Sequence, residues 1–84
     1  MKIHEIKRKI TVGFGKTVRQ RRRELGLSEE ELAWRAKISD RELRNIEHGR
    51  ANPKADTVIS LCVHLNISTD EFYNIYPEEG FDYV

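Results

Sequence analysis

The chain has 84 residues, 35% of them charged and 38% hydrophobic, with one cysteine, Cys62. That length allows one domain around one modest core; an intramolecular disulfide is excluded, no apolar run reaches membrane length, and the basic N-terminus is not a signal peptide, so a cytoplasmic protein is expected. The net charge of +1 hides an asymmetry: all fifteen Lys and Arg lie at or before Lys54 against eight acids, a balance of +7, whereas residues 55–84 carry six acids and no Lys or Arg, a balance of −6. A basic front and an acidic back point to a polyanion on one side only.

In chain order, residues 1–10 are basic. Ile3, Ile6 and Ile10 continue at helical spacing into Phe14 and Val18, so this segment is either an early start to helix 1 or a separate arm. Helix 1 proper is expected from about Val12 to Leu25, with Phe14, Val18 and Leu25 inward and Gly26 as its stop. Its outer face carries Arg19, Arg21, Arg22 and Arg23. Two start signals follow. Ser28 precedes Glu31 by three residues, and Ser39 precedes Glu42 by three. Each is a capping-box spacing, in which the Ser side chain accepts from a first-turn N–H and the Glu reaches back to the Ser N–H. Helix 2 buries Leu32, Ala33 and Ala36; helix 3, over 39–48, buries Leu43 and Ile46; Ile38 fills the corner, and Gly49 ends the pair. Two short helices joined by so tight a turn form a helix-turn-helix. Pro53 fits the mouth of helix 4, which runs from about Lys54 to Leu65 with Val58, Leu61, Cys62 and Leu65 inward and Asn66 as a left-handed stop. Ser68 and Glu71 make a third capping box and open helix 5, with Phe72, Tyr73, Ile75 and Tyr76, closed by Pro77. The expected fold is all-α: a compact five-helix domain over 11–76, followed by a short acidic, aromatic tail over 77–84.

The segment Leu27–Gly49, together with Phe14-Gly15-Lys16, Val18-Arg19, Arg22, Asn52-Pro53, Asp56-Thr57, Leu61 and Phe72, resembles the lambda-repressor/Cro-type (Xre-type) helix-turn-helix family of DNA-binding regulators. The resemblance spans roughly Phe14 to Tyr73. It implies a lambda-repressor-like fold whose third helix lies in the major groove, while the second crosses the backbone. The outward residues of helix 3 are Asp40, Arg41, Arg44 and Asn45. Arg can fork onto guanine, Asn onto adenine, and Asp can accept from cytosine N4. The resemblance further implies phosphate contacts at Arg19, Glu29, Arg50, Asn52 and Lys54, and a structural ion pair between Arg22 and Glu47. Two positions depart from the family pattern: Glu29 stands where Gln is usual, and Lys37 where Gly is common in the turn.

No catalytic chemistry is legible. His4, His48 and His64 are scattered, and Cys62 and His64 would face different sides of a helix; neither zinc spacing nor a phosphate loop nor a nucleophile elbow occurs. Glu29, Glu30 and Glu31 suit the positive end of a helix dipole better than a metal. No enzyme activity, cofactor or metal is therefore expected. The expected function is a sequence-specific, repressor-like regulator that binds a palindromic operator on double-stranded DNA as a homodimer. The expected dimer interface is Ile59, Val63, Tyr73, Ile75 and Tyr76, since one helix-turn-helix reads few base pairs and symmetry doubles the site. Alternatives are a protein-interaction domain on the same scaffold with weakened DNA binding, or an antitoxin-type autoregulator with a toxin or other regulator as partner. Trp34 is a separate candidate contact.

Overall fold

The structure, a computed structural model, describes residues 2–68. Four α-helices occupy them: α1 (Ile3–Glu24), α2 (Glu29–Ala36), α3 (Asp40–Glu47) and α4 (Ala55–Leu65). Among the described residues the all-α class holds, and four of the expected five helices are counted. The expected fifth helix, including Glu71, Tyr73, Ile75 and Tyr76, lies outside the described residues, as does the tail over 77–84.

The helix starts follow local chemistry. Ser28 forms the full reciprocal box with Glu31: its Oγ accepts from the Glu31 N–H at 3.0 Å, and its own N–H donates to Glu31 Oε1 at 3.5 Å. Ser39 Oγ accepts from the Glu42 N–H at 3.0 Å, but the Glu42 carboxylate makes no return bond. Helix 4 starts one residue later than its Pro suggests, with Lys54 as the N-cap.

All four helix ends use one device. Gly26, Lys37, Gly49 and Asn66 have positive φ. The N–H after each reaches back five residues: Leu27 to the Arg22 carbonyl (3.0 Å), Ile38 to Ala33 (3.0 Å), Arg50 to Asn45 (2.8 Å) and Ile67 to Cys62 (2.9 Å). This Schellman closure satisfies carbonyls that the helix leaves without partners.

The helices share one core. Phe14 and Val18 of α1, Leu32, Ala33 and Ala36 of α2, Leu43 and Ile46 of α3, and Leu61, Cys62 and Leu65 of α4 are buried, with Ile67 beneath them; Ile10, Leu27, Ile38 and Val58 pack at its margin. Cys62 is a free thiol inside this core. Leu25 departs from its expected inward position and is 48% exposed. It is the cap residue that follows α1, and the Gly26 turn carries Leu27 rather than Leu25 onto the core.

α1 begins at Ile3, well before Val12, and runs through Gly13 and Gly15 without a break. Helix-interior glycine ordinarily costs about 0.5–1 kcal/mol relative to Ala. At Gly15 the reason is close approach: a Cβ there would overlap the Ile46 carbonyl oxygen and lie 3.2 Å from that of Glu47. The backbones of α1 and α3 touch at this point, and only glycine leaves room. α4 is tied in by polar contacts. Ser60 Oγ donates to the Ala36 carbonyl at 3.2 Å, and Arg21 donates from Nε and Nη2 to the Leu65 carbonyl at 3.3 and 3.2 Å.

Two stability measurements check this account. Gly15→Ala is expected to lower the unfolding free energy by about 1–3 kcal/mol, the cost of overpacking, although the same exchange in an open helix would raise it. Lys37→Gly is expected to raise it by about 1 kcal/mol, because it relieves a left-handed residue that carries a Cβ. Denaturant titration reads both, and a reversed sign in either rejects the corresponding contact.

Candidate nucleic-acid interface

α3 is amphipathic by sequence. Leu43, Ile46 and Glu47 turn inward, which leaves Asp40, Arg41 and Arg44 exposed and Asn45 half-buried. These are the four expected base-reading positions, and the packing of α3 brings them to one outward surface. The Asn45 carbonyl accepts from the N–H groups of both Arg50 (2.8 Å) and Ala51 (3.3 Å). The chain leaving α3 is therefore folded back against its last turn. That brings Arg50, Asn52 and Lys54, all exposed, to the end of the same helix. Asn52 Oδ1 accepts from Thr11 Oγ1 of α1 at 3.5 Å.

The pair that orients α3 joins Arg22 to Glu47. Arg22 Nε donates to Glu47 Oε2 at 2.7 Å and Nη2 to Oε1 at 3.2 Å, a two-pronged carboxylate contact. Arg22 Nη1 also donates to the Leu27 carbonyl at 3.0 Å. The side chains are only 11% and 2% exposed. The hydrogen bond to Glu47 raises the Arg22 pKa above its ordinary value; burial lowers it, and the charges of Glu47 and Glu29 raise it further. One guanidinium thus spans α1, the turn before α2, and the last residue of α3.

The remaining site residues divide. Arg19 and Glu29 are half-buried, on α1 and in the first turn of α2. The negative charge of Glu29 adds a small through-space contribution to the raised pKa of Arg22. Of the expected dimer residues, Ile59 and Val63 are 60% and 69% exposed on α4, while Tyr73, Ile75 and Tyr76 lie outside the described residues. Trp34 is 81% exposed and borders a shallow groove with Ser28, Glu30, Glu31 and Arg35. Among the described residues, no group of three or more His, Cys, Asp or Glu could hold a metal ion, and no helix is long and apolar enough to cross a membrane.

Arg21 is expected on the outer face of helix 1. The structure gives it the carbonyl end of α4 and a salt bridge to Glu24 at 3.0 Å. Its spacing carried only a weak signal, one residue before Arg22 and three before Glu24. The contact between Thr11 and Asn52, 41 residues apart, left no trace in the sequence.

Residues 15–78 match the family model described as a helix-turn-helix domain. Among solved structures, the clp gene regulator ClgR from Corynebacterium glutamicum superposes with a TM-score of 0.72 at 25% identity, covering 77% of this chain and 69% of that one. The restriction-modification controller protein C.AhdI from Aeromonas hydrophila superposes with a TM-score of 0.68 at 29% identity, covering 74% of this chain and 94% of that one. No curated protein matches the chain.

Glu47→Ala is expected to cost about 3–5 kcal/mol, since it strands the largely buried Arg22 guanidinium without its carboxylate. Thermal melting checks this. A loss under about 1 kcal/mol, the range of a solvent-exposed pair, would contradict the burial.

Proposed function

The chain belongs to the helix-turn-helix domain family, and on that premise we propose that it is a sequence-specific DNA-binding transcriptional regulator of the repressor type. The observation that carries the proposal is the outward surface of α3: Asp40, Arg41, Arg44 and Asn45 project from a helix whose opposite side is locked to α1 by Gly15 and Arg22. Arg41 and Arg44 read guanine edges in the major groove, Asn45 reads adenine, and Asp40 selects for cytosine. Arg19, Arg50, Asn52 and Lys54 hold phosphates and set register, as backbone contacts do in such interfaces. Glu29, beside the positive end of α2, limits affinity for the polyanion.

The operator is palindromic and the protein binds it as a homodimer. Support comes from Ile59 and Val63, four residues apart on one side of α4 and both exposed. Half-sites then repeat about 34 Å apart along the duplex. Sedimentation equilibrium at micromolar concentration checks the dimer; a monomer that stays monomeric on a palindromic duplex removes it.

A second reading, a protein-interaction domain with little DNA affinity, is favoured by Trp34 and the acidic first turn of α2. Selection of an operator from random duplexes discriminates between the two. On the selected operator, Arg41→Ala or Arg44→Ala is expected to cost about 1–3 kcal/mol and to relax one base position. Lys54→Ala is expected to weaken all sequences alike and reduce the salt slope by about 1. If Arg41→Ala and Arg44→Ala both leave operator affinity unchanged, α3 is not the reading helix.

A further inference from the structure

We infer that the first turns of α1 form an additional phosphate-binding edge, with Lys7 and Arg8 as its cations and the backbone of duplex DNA flanking the half-site as its ligand. The inference rests on the DNA-binding reading above and extends its footprint.

Three observations converge on it. The first is continuity. Thr11 donates to Asn52 at 3.5 Å, and a Cβ on Gly49 would lie 3.0 Å from Val12 Cγ2. The middle of α1 is therefore seated on the segment that carries Arg50, Asn52 and Lys54.

The second is helical register. Residues three and four apart share a side of a helix. Lys7 lies four before Thr11, and Arg8 four before Val12. Both therefore stand one turn beyond the seated residues, on the side that faces that segment. Arg8, Val12, Gly15 and Arg19 form one stripe at spacings of four, three and four. Gly15 marks where this stripe touches α3, so Arg8 and Arg19 flank that contact. Their separation along the helix axis is about 16 Å at 1.5 Å per residue.

The third is charge and exposure. Lys7 and Arg8 are both exposed, and neither enters an ion pair among the described residues. Residues 2–9 hold four Lys or Arg against a single acid, Glu5. Ile10 packs on the core, Ile6 is half-buried and Ile3 is 65% exposed. The helix thus leaves the core progressively towards its N-terminus, with its cations in solvent. A polyanion is the complementary partner, and the nearest one in this reading is the DNA already held at Arg50 and Lys54.

The test compares the full chain with Lys7→Gln/Arg8→Gln and with Lys7→Glu/Arg8→Glu on the selected operator and on random duplex, across a salt series. Each lost phosphate contact flattens the logarithmic salt slope by about 0.9, so the glutamine pair is expected to reduce it by about 1.8. The fold-loss in affinity should be equal on the two duplexes. The glutamate pair should lose more, with unchanged far-UV ellipticity. A chain that binds duplex while both variants keep its slope overturns this inference and leaves the reading of α3 intact. A parent chain with no salt-dependent duplex binding overturns both. Vesicles containing phosphatidylserine supply the last arm: if the glutamine pair abolishes vesicle binding yet leaves duplex binding untouched, the edge serves a lipid surface and the DNA assignment is wrong.

Discussion

A carboxylate that is 2% exposed, as Glu47 is, persists in a small domain only if a cation comes to it. Arg22 does so through Nε and Nη2, and an Nη1 N–H donates to the Leu27 carbonyl. The alternative, a charge desolvated without a partner, is among the costlier defects a fold can carry. The pairing therefore dictates more than two side chains. It sets the rotation of α1, because Arg22 must face α3. That rotation places Gly15 against the Ile46 carbonyl, where any larger residue would force the helices apart. It also leaves Asp40, Arg41 and Arg44 on the opposite side of α3, in solvent.

What the sequence made legible was local. Ser28 and Ser39 announced their helices because an N-cap bonds within three residues. Asn66 and Gly49 announced ends because few residues adopt a left-handed backbone without strain. Lys37 adopts it as well, at a position where the turn tolerates the strain in exchange for a Schellman closure. The core stripes of α2, α3 and α4 followed from spacing alone. Contacts between distant segments were another matter. Periodicity places Leu25 inward, but the helix ends before it and the turn brings Leu27 over the core instead. The extent of α1 could not be decided from its pattern, since two glycines argued for a break. Gly15 is required by a neighbour 31 positions away in the chain, and a propensity scale registers only its cost.

The outward side of the site was partly legible too. Once α3 has its buried face, the exposed residues follow by exclusion. The chain after α3 did not follow in this way. Its return against the Asn45 carbonyl depends on backbone hydrogen bonds that any non-proline residue could make, and the meeting of the Asn52 and Thr11 side chains follows only once that return is in place. Glu29 shows the same divide. Its residue type suits the first turn of a helix, whereas its influence on Arg22 depends on how α1 and α2 cross.

Arg21 and Arg22 are adjacent in α1 and hold different helices, α4 by its terminal carbonyl and α3 by its terminal carboxylate. Neighbouring positions on a helix point about 100° apart, so the two grips act in different directions from nearly one point. α1 works as a splint across the other elements. A sliding or hinging motion of α3 against α4 would have to break one of the grips, and both use charged donors. The outward surface of α3 proposed to read DNA is thus largely preorganised before any ligand arrives. Little ordering entropy remains to be lost when it docks, so its affinity should respond to the chemistry of the exposed side chains far more than to the flexibility of the scaffold beneath them.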